Sequence, residues 1–329
     1  MKVLVTGGGG FLGGAVARSA LARGWQVRSV ARGDYPHLRE AGMETHRGDL
    51  AEPGVAHKAV EGCDAVFHVA AKAGVWGSYE SYHRSNVTAT EQLLDACRKQ
   101  GVKRFIYTST PSVIHAGGDV EGIDESAPYP DHFETHYPKT KAIAEKMVLK
   151  ASGPELGTVA LRPHLIWGPG DTQLIPRILA RAKAGRLRFV GDGQKLIDSV
   201  YIDNAAQAHM QACDALANPQ AACAGKAYFI TQGEPVPTAD LINRILGAAG
   251  LPPCTKTVPV KVAYAAGAML EGVYGLFRIA SEPPMTRFVA KQLSTAHWYD
   301  ITAAKRDLGY KPTITLDEGI EKLRQSFAK

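Results

Sequence analysis

Residues 2–13 read KVLVTGGGGFLG. Lys2 to Thr6 is a short apolar, β-branched run of the kind a buried parallel strand requires. It leads straight into four glycines, and a helical pattern follows from Phe11 through Ala15, Val16, Ala20 and Leu21 to Gly24. Gly7, Gly10 and Gly13 fall three apart, and Gly8, Gly10 and Gly13 also satisfy G-x-G-x-x-G. Such a strand–turn–helix admits a pyrophosphate, because the turn is tight, the backbone can approach closely, and the helix start offers free N–H groups. The expected fold is therefore α/β: a Rossmann-type doubly wound parallel sheet with a smaller mixed C-terminal substrate subdomain.

Beyond that turn, strands and helices alternate. Trp25 to Arg32, Met43 to Leu50, Ala65 to Ala71, Arg104 to Thr110 and Thr158 to Ile166 read as further strands, Asn86 to Gln100 as an amphipathic helix, and Pro111 to His136 as loop. Residues 1–171 are expected to form the dinucleotide-binding domain, its sheet completed from within 194–233 by Ser199 to Asn204 and Ala227 to Thr231. Residues 172–193 and 234–329 are expected to form the substrate subdomain. The second strand ends in Ala31-Arg32-Gly33, where an acid for the ribose 2′-hydroxyl is usual. Arg32 instead suits a 2′-phosphate through a charge-assisted fork, so NADP(H) is the expected cofactor. Asp34 stands too far along to take the hydroxyl. Asp49, ending the third strand, is placed for the adenine, and Ala70 and Ala71 are small enough for a cofactor to lie close. His68 reads as a core histidine.

The 329 residues, 45% hydrophobic and 21% charged, fit a soluble globular enzyme rather than a disordered or fibrous chain. The five cysteines are scattered, so they read as reduced thiols of a cytoplasmic protein. With a strand opening at residue 2, a signal peptide is not expected. A net charge of +6 without a basic stripe suits an anionic cofactor and substrate, not nucleic acid. Arg177, Arg181, Lys183, Arg186 and Arg188 form the densest basic patch, either a solvated face or a contact for something acidic. His132 and His136 lie four apart but lack the H-E-x-x-H pattern, and no metal is expected. From Val260 to Arg278 the chain is apolar except for Lys261, Glu271 and Arg278. A central acid argues against a membrane span and leaves three readings: a buried helix, the wall of a long apolar substrate site, or an interfacial helix.

Tyr137 and Lys141 stand at i, i+4 on one helical face. A phenol with an ordinary pKa near 10 is a poor acid at neutral pH, and an ammonium one turn away is expected to favour its ionised form. A hydroxyl from Thr108, Ser109 or Thr110, at a neighbouring strand end, can share the same substrate oxygen. This apparatus suits carbonyl reduction.

T-G-G-G-G-F-L-G, G-D-L, H-V-A-A, Y-T-S-T-P-S-V, Y-P-K-T-K and L-R-P-H-L-I-W-G-P-G-D occur in that order. Over nearly its whole length the chain resembles the extended short-chain dehydrogenase/reductases, in their 3β-hydroxysteroid dehydrogenase-like branch. Stretches 70–77, 109–119, 282–290 and 296–300 are similar to members that reduce 2-alkyl-3-oxoalkanoic acids with NADPH in bacterial long-chain olefin biosynthesis. The resemblance implies Tyr137 as the acid/base, Lys141 as its activator and Thr110 as the substrate hydroxyl ligand, with Ser109 behind it. With the residues read above, the expected cofactor wall is Gly7, Gly10, Phe11, Leu12, Gly13, Arg32, Asp49, Leu50, Ala70, Ala71, Ser109, Tyr137, Lys141, Pro163, His164 and Leu165. The expected partners are a long-chain 2-alkyl-3-oxo acid, other enzymes of the olefin pathway, and further copies of the chain as a homo-oligomer. No transmembrane span is expected, and peripheral membrane contact stays open. The alternative readings are a 3β-hydroxysteroid or carboxysterol dehydrogenase running by oxidation, and a non-catalytic nucleotide-binding scaffold.

Overall fold

The computed structural model describes residues 1–115, 117–218, 220–279 and 281–328. Its main sheet has seven parallel strands, in the order 226–230, 157–163, 104–108, 65–68, 2–6, 26–31, 44–47. The central strands are rich in Val, Leu, Ile and Phe because both faces are covered; Leu4, Val5, Val66, Phe67, Ile106 and Leu161 are wholly buried. One face packs on helices Phe11–Ala22 and Ile202–Ala215, the other on helices Ala89–Gln100 and His136–Lys150. Chain order reverses between strands 2–6 and 65–68, so their carboxyl ends open a crevice there, the usual ligand position in such sheets.

Three expectations need correction. Ser199 to Asn204 does not return to the main sheet: Val200–Tyr201 pairs with Ile166–Trp167 in a separate ladder, and a helix starts at Ile202. The following run is alanine-rich, and buried Ala205, Ala208 and Ala212 let that helix pack closely. Residues 111–136 are not all loop. Val120–Ile123 joins His297–Tyr299, Leu196–Ile197 and Val236–Pro237 in a second, mixed sheet, which therefore draws a strand from the first half of the chain.

The third concerns helix Val260–Leu276, where the buried reading fails. Only Ala263 and Gly267 are buried, while Met269, Leu276 and Phe277 are 65%, 78% and 69% exposed. The helix packs on Arg287–Gln292 through Gly267, where an added Cβ would stand 2.6 Å from the Thr286 carbonyl carbon. Among the described residues no other layer covers its outer face, so apolar composition did not translate into burial. Among the described residues no helix is long and apolar enough to cross a membrane.

Candidate active site

The glycine turn is shaped by two positions that tolerate no side chain. Gly7 has φ +70° and faces Ala70, and a Cβ on Gly13 would stand 2.1 Å from the Gly7 carbonyl oxygen. Gly10 donates to that oxygen at 2.8 Å, and helix Phe11–Ala22 begins without a side-chain cap, leaving its first N–H groups free. The cleft above the turn has a volume of about 580 Å³. Gly7, Gly10, Phe11, Leu12, Gly13, Arg32, Asp49, Leu50, Ala70, Ala71, Ser109, Tyr137 and Lys141 line it together. Pro163, His164 and Leu165 are not on its wall; Leu165 lines a neighbouring apolar cavity. The cradle that a Cβ would fill, and the buried Ser109 hydroxyl without a protein partner, fit a dinucleotide.

One buried hydrogen-bond chain stiffens this cleft. Thr6 Oγ1 accepts from the Val69 and Ala70 amides at 3.0 and 2.9 Å, so its own proton goes to His68 Nδ1 at 2.9 Å. His68 Nε2–H then donates to Thr90 Oγ1, which donates to the Asn86 carbonyl. Burial, and then the charge of Lys141, push the His68 pKa down to about 3. It is a neutral core histidine.

The three hydroxyls at the end of strand Arg104–Thr108 have separate fates. His209 Nδ1 donates to the Ala205 carbonyl, so its Nε2 accepts from Thr108 Oγ1 at 2.7 Å, turning that hydroxyl inward. Ser109 faces the cofactor cleft. Thr110 stands beside Tyr137, its hydroxyl donating to Ser112 Oγ at 3.2 Å and accepting from the Ser112 amide at 3.3 Å, and Pro111 starts a short turn that holds it in place. Lys141 is 2% exposed; Nζ donates to the Thr108 carbonyl at 2.6 Å and lies 4.1 Å from the Tyr107 ring centroid. Burial pushes its pKa down to about 7, opposed by the Glu145 carboxylate.

Here the expected electrostatics are corrected. Burial pushes Tyr137 up to about 12, with the neighbouring Thr110 hydroxyl working against it. Lys141 spends its hydrogen bond on Thr108 and stacks on Tyr107, so it does not draw Tyr137 toward neutrality. At neutral pH the phenol is protonated.

Two supports escaped the sequence reading. Glu145, fully buried, accepts from Arg162 at 2.6 and 3.0 Å and from the Tyr129 hydroxyl at 2.6 Å. One helical turn beyond Lys141, it sits where its charge favours the ammonium. Asn86 accepts from the Lys72 amide at 2.7 Å and donates to the Lys72 carbonyl and Thr140 Oγ1, each at 3.1 Å. It thus ties the cofactor wall to the helix carrying Tyr137 and Lys141. Asn86 lies in a π-turn, Arg84–Thr88, between helices Tyr79–His83 and Ala89–Gln100, an extra-residue turn of a kind often found at functional sites.

Residues 4–260 match the model of the 3-beta hydroxysteroid dehydrogenase/isomerase family. The chain belongs to that family. The family member is an oxidoreductase dependent on a nicotinamide dinucleotide. It is 53% identical to the 2-alkyl-3-oxoalkanoate reductase of Stenotrophomonas maltophilia, over all of both chains. It is 32% identical to the sterol-4-alpha-carboxylate 3-dehydrogenase, decarboxylating, of Mus musculus, covering 99% of this chain and 91% of the mouse protein. Among solved structures it resembles MoeE5 in complex with UDP-glucuronic acid and NAD, with 25% identity, a TM-score of 0.76, and coverage of 100% and 99% of the two chains.

Proposed function

We propose that this family member reduces the 3-oxo group of a long-chain 2-alkyl-3-oxoalkanoic acid to the 3-hydroxy acid with NADPH, as a step of long-chain olefin formation. The observation that carries the chemistry is that Tyr137, Lys141 and Ser109 line the glycine cleft together, with Thr110 next along the same strand end. The 53% full-length identity to a reductase of that name supports the substrate class, against 32% for the sterol enzyme. A nicotinamide dinucleotide held in the cleft that Ala70, Ala71 and Ser109 help to line would supply the hydride. Thr110 holds the oxo oxygen, and protonated Tyr137 gives that oxygen its proton as the hydroxyl forms. Lys141, packed between Thr108 and Tyr107, fixes the strand end against the helix face that carries the phenol.

Cofactor choice rests on the adenosine end. Arg32 is exposed at the cleft mouth, its carbonyl held by Arg47 at 3.1 Å, while Asp34 is tied to Arg39 at 2.6 Å. A 2′-phosphate there would meet a guanidinium that has no ion-pair partner among the described residues, whereas the Asp34 carboxylate is already paired. Arg32→Ala is expected to raise KM for NADPH about ten- to a hundredfold, the weight of one charge-assisted bond, with KM for NADH little changed. Steady-state kinetics with both cofactors check this; equal use by the unaltered enzyme contradicts it.

The high Tyr137 pKa sets a pH test of the proposed reaction. Reduction uses the phenol, present throughout neutral pH, whereas oxidation of a 2-alkyl-3-hydroxy acid uses the phenolate. With a pKa of about 12, the phenolate fraction rises with pH. Oxidative kcat/KM is expected to rise about tenfold per unit between about pH 8 and 10, above the Lys141 value, while reductive kcat/KM stays level. An oxidative profile already flat at pH 8, or no turnover of such acids, contradicts the assignment.

A further inference from the structure

We propose that segment 282–289 sorts the two hydrocarbon tails of the substrate, sending one into each of two separate cavities. The inference rests on the reading of the substrate as a 2-alkyl-3-oxo acid. In such an acid the tails leave adjacent carbons, C2 and C3, in different directions, so a single-file channel ending at Tyr137 cannot hold both.

The cavities differ in character. The smaller, about 410 Å³, has Leu174, Ile178, Leu187, Leu241 and Ile245 on its wall. The larger, about 970 Å³, includes Trp76, Tyr264, Tyr274, Ile279 and Phe288 and is more polar. The larger reaches the residues beside the catalytic tyrosine, and the smaller reaches Gly74, next to Ala73 on the cofactor cleft wall. Thr135 and His136, immediately before Tyr137, line the larger. Leu165, just past strand Gly157–Pro163, lines the smaller, as does Glu282, whose carboxylate lies 3.3 Å from where a Cβ on Gly74 would stand.

Segment 282–289 is shared between them. Glu282, Pro283, Pro284 and Val289 face the smaller cavity, and Thr286, Arg287 and Phe288 the larger. It is held from both sides. Arg181 donates to the Pro284 carbonyl at 2.7 Å and Arg177 to Glu282 at 3.4 Å. Arg287 pairs with Glu271 at 2.6 Å, and Gly267 lets helix Val260–Leu276 press on the Thr286 backbone. Two adjacent prolines and the Thr286 cap on Val289 at 3.1 Å stiffen it further. Part of the basic patch thus braces this divider, and the apolar helix walls one side.

The test uses full-length enzyme with NADP⁺ and stable 2-alkyl-3-hydroxy acids in three sets: long only at C2, long only on the C3 side, and short at both. The short acid reports the Tyr137 site itself, and the effects of variants are read relative to it. Leu241→Trp fills the smaller cavity. Gly275→Leu narrows the larger, where a Cβ meets nothing within 4 Å. Each is expected to raise KM about tenfold or more for one long set only, and the two variants for opposite sets. Should Leu241→Trp lose the short-acid activity, Ile242→Phe on the same wall carries the same expectation. Equal effects on both long sets, or none on either, overturn the sorting. Failure of unaltered enzyme to oxidise any of the three sets instead overturns the substrate reading.

Discussion

Tyr137→Phe is expected to lose about 10²- to 10⁴-fold in kcat while binding NADPH as the unaltered enzyme does. The substitution removes only the hydroxyl, leaving the ring against the cleft and the helix His136–Lys150 unchanged. Thr110 then keeps a hydrogen bond to the substrate oxygen but has no protonated neighbour to complete the reaction. Single-turnover reduction together with cofactor titration by fluorescence separates the two quantities. A variant that retains most of its kcat moves the proton donor elsewhere. One that loses cofactor binding in proportion shows that Tyr137 works through binding instead.

The second large effect falls on stability. Glu145→Gln leaves Arg162, 2% exposed, as a buried charge without its counter-ion. Removing one partner of such a pair costs about 3–5 kcal/mol, because the remaining charge cannot be rehydrated. Replacing both with apolar groups of similar volume, Glu145→Leu with Arg162→Met, is expected to recover most of that loss, since no unpaired charge remains. Urea unfolding of the three proteins measures both values. A Glu145→Gln protein within about 1 kcal/mol of the parent would show the pair to be solvated or redundant.

Features written in short-range spacing were legible in the sequence. The glycine turn declares itself because strand, glycines and helix are contiguous, and Tyr137 and Lys141 because four residues make one helical turn. What pairs distant segments was not. Arg162 interrupts an apolar strand with no sign that Glu145, on the preceding helix, neutralises it. The choice among Thr108, Ser109 and Thr110 depends on His209, about a hundred residues away, which takes the Thr108 hydroxyl. The π-turn holding Asn86 inserts one residue into a helix, and a hydrophobic pattern does not register that. Helix Val260–Leu276 misled in the opposite sense. Its composition is that of a core helix, but burial depends on what packs over it, and little does.

In the proposed reaction a two-tailed β-keto acid has its 3-oxo group reduced to a hydroxyl beside Tyr137. The direct measurement mixes enzyme and NADPH with a long-chain 2-alkyl-3-oxo acid freshly released from its ester, since such acids decarboxylate on standing. NADPH consumption and products are followed together, by absorbance and mass spectrometry, with a 3-ketosteroid as competitor. The expected result is one 2-alkyl-3-hydroxy acid formed per NADPH consumed, with kcat/KM for the steroid lower by about a hundredfold or more. Preferential reduction of the steroid, or NADPH consumed without the hydroxy acid appearing, would contradict it.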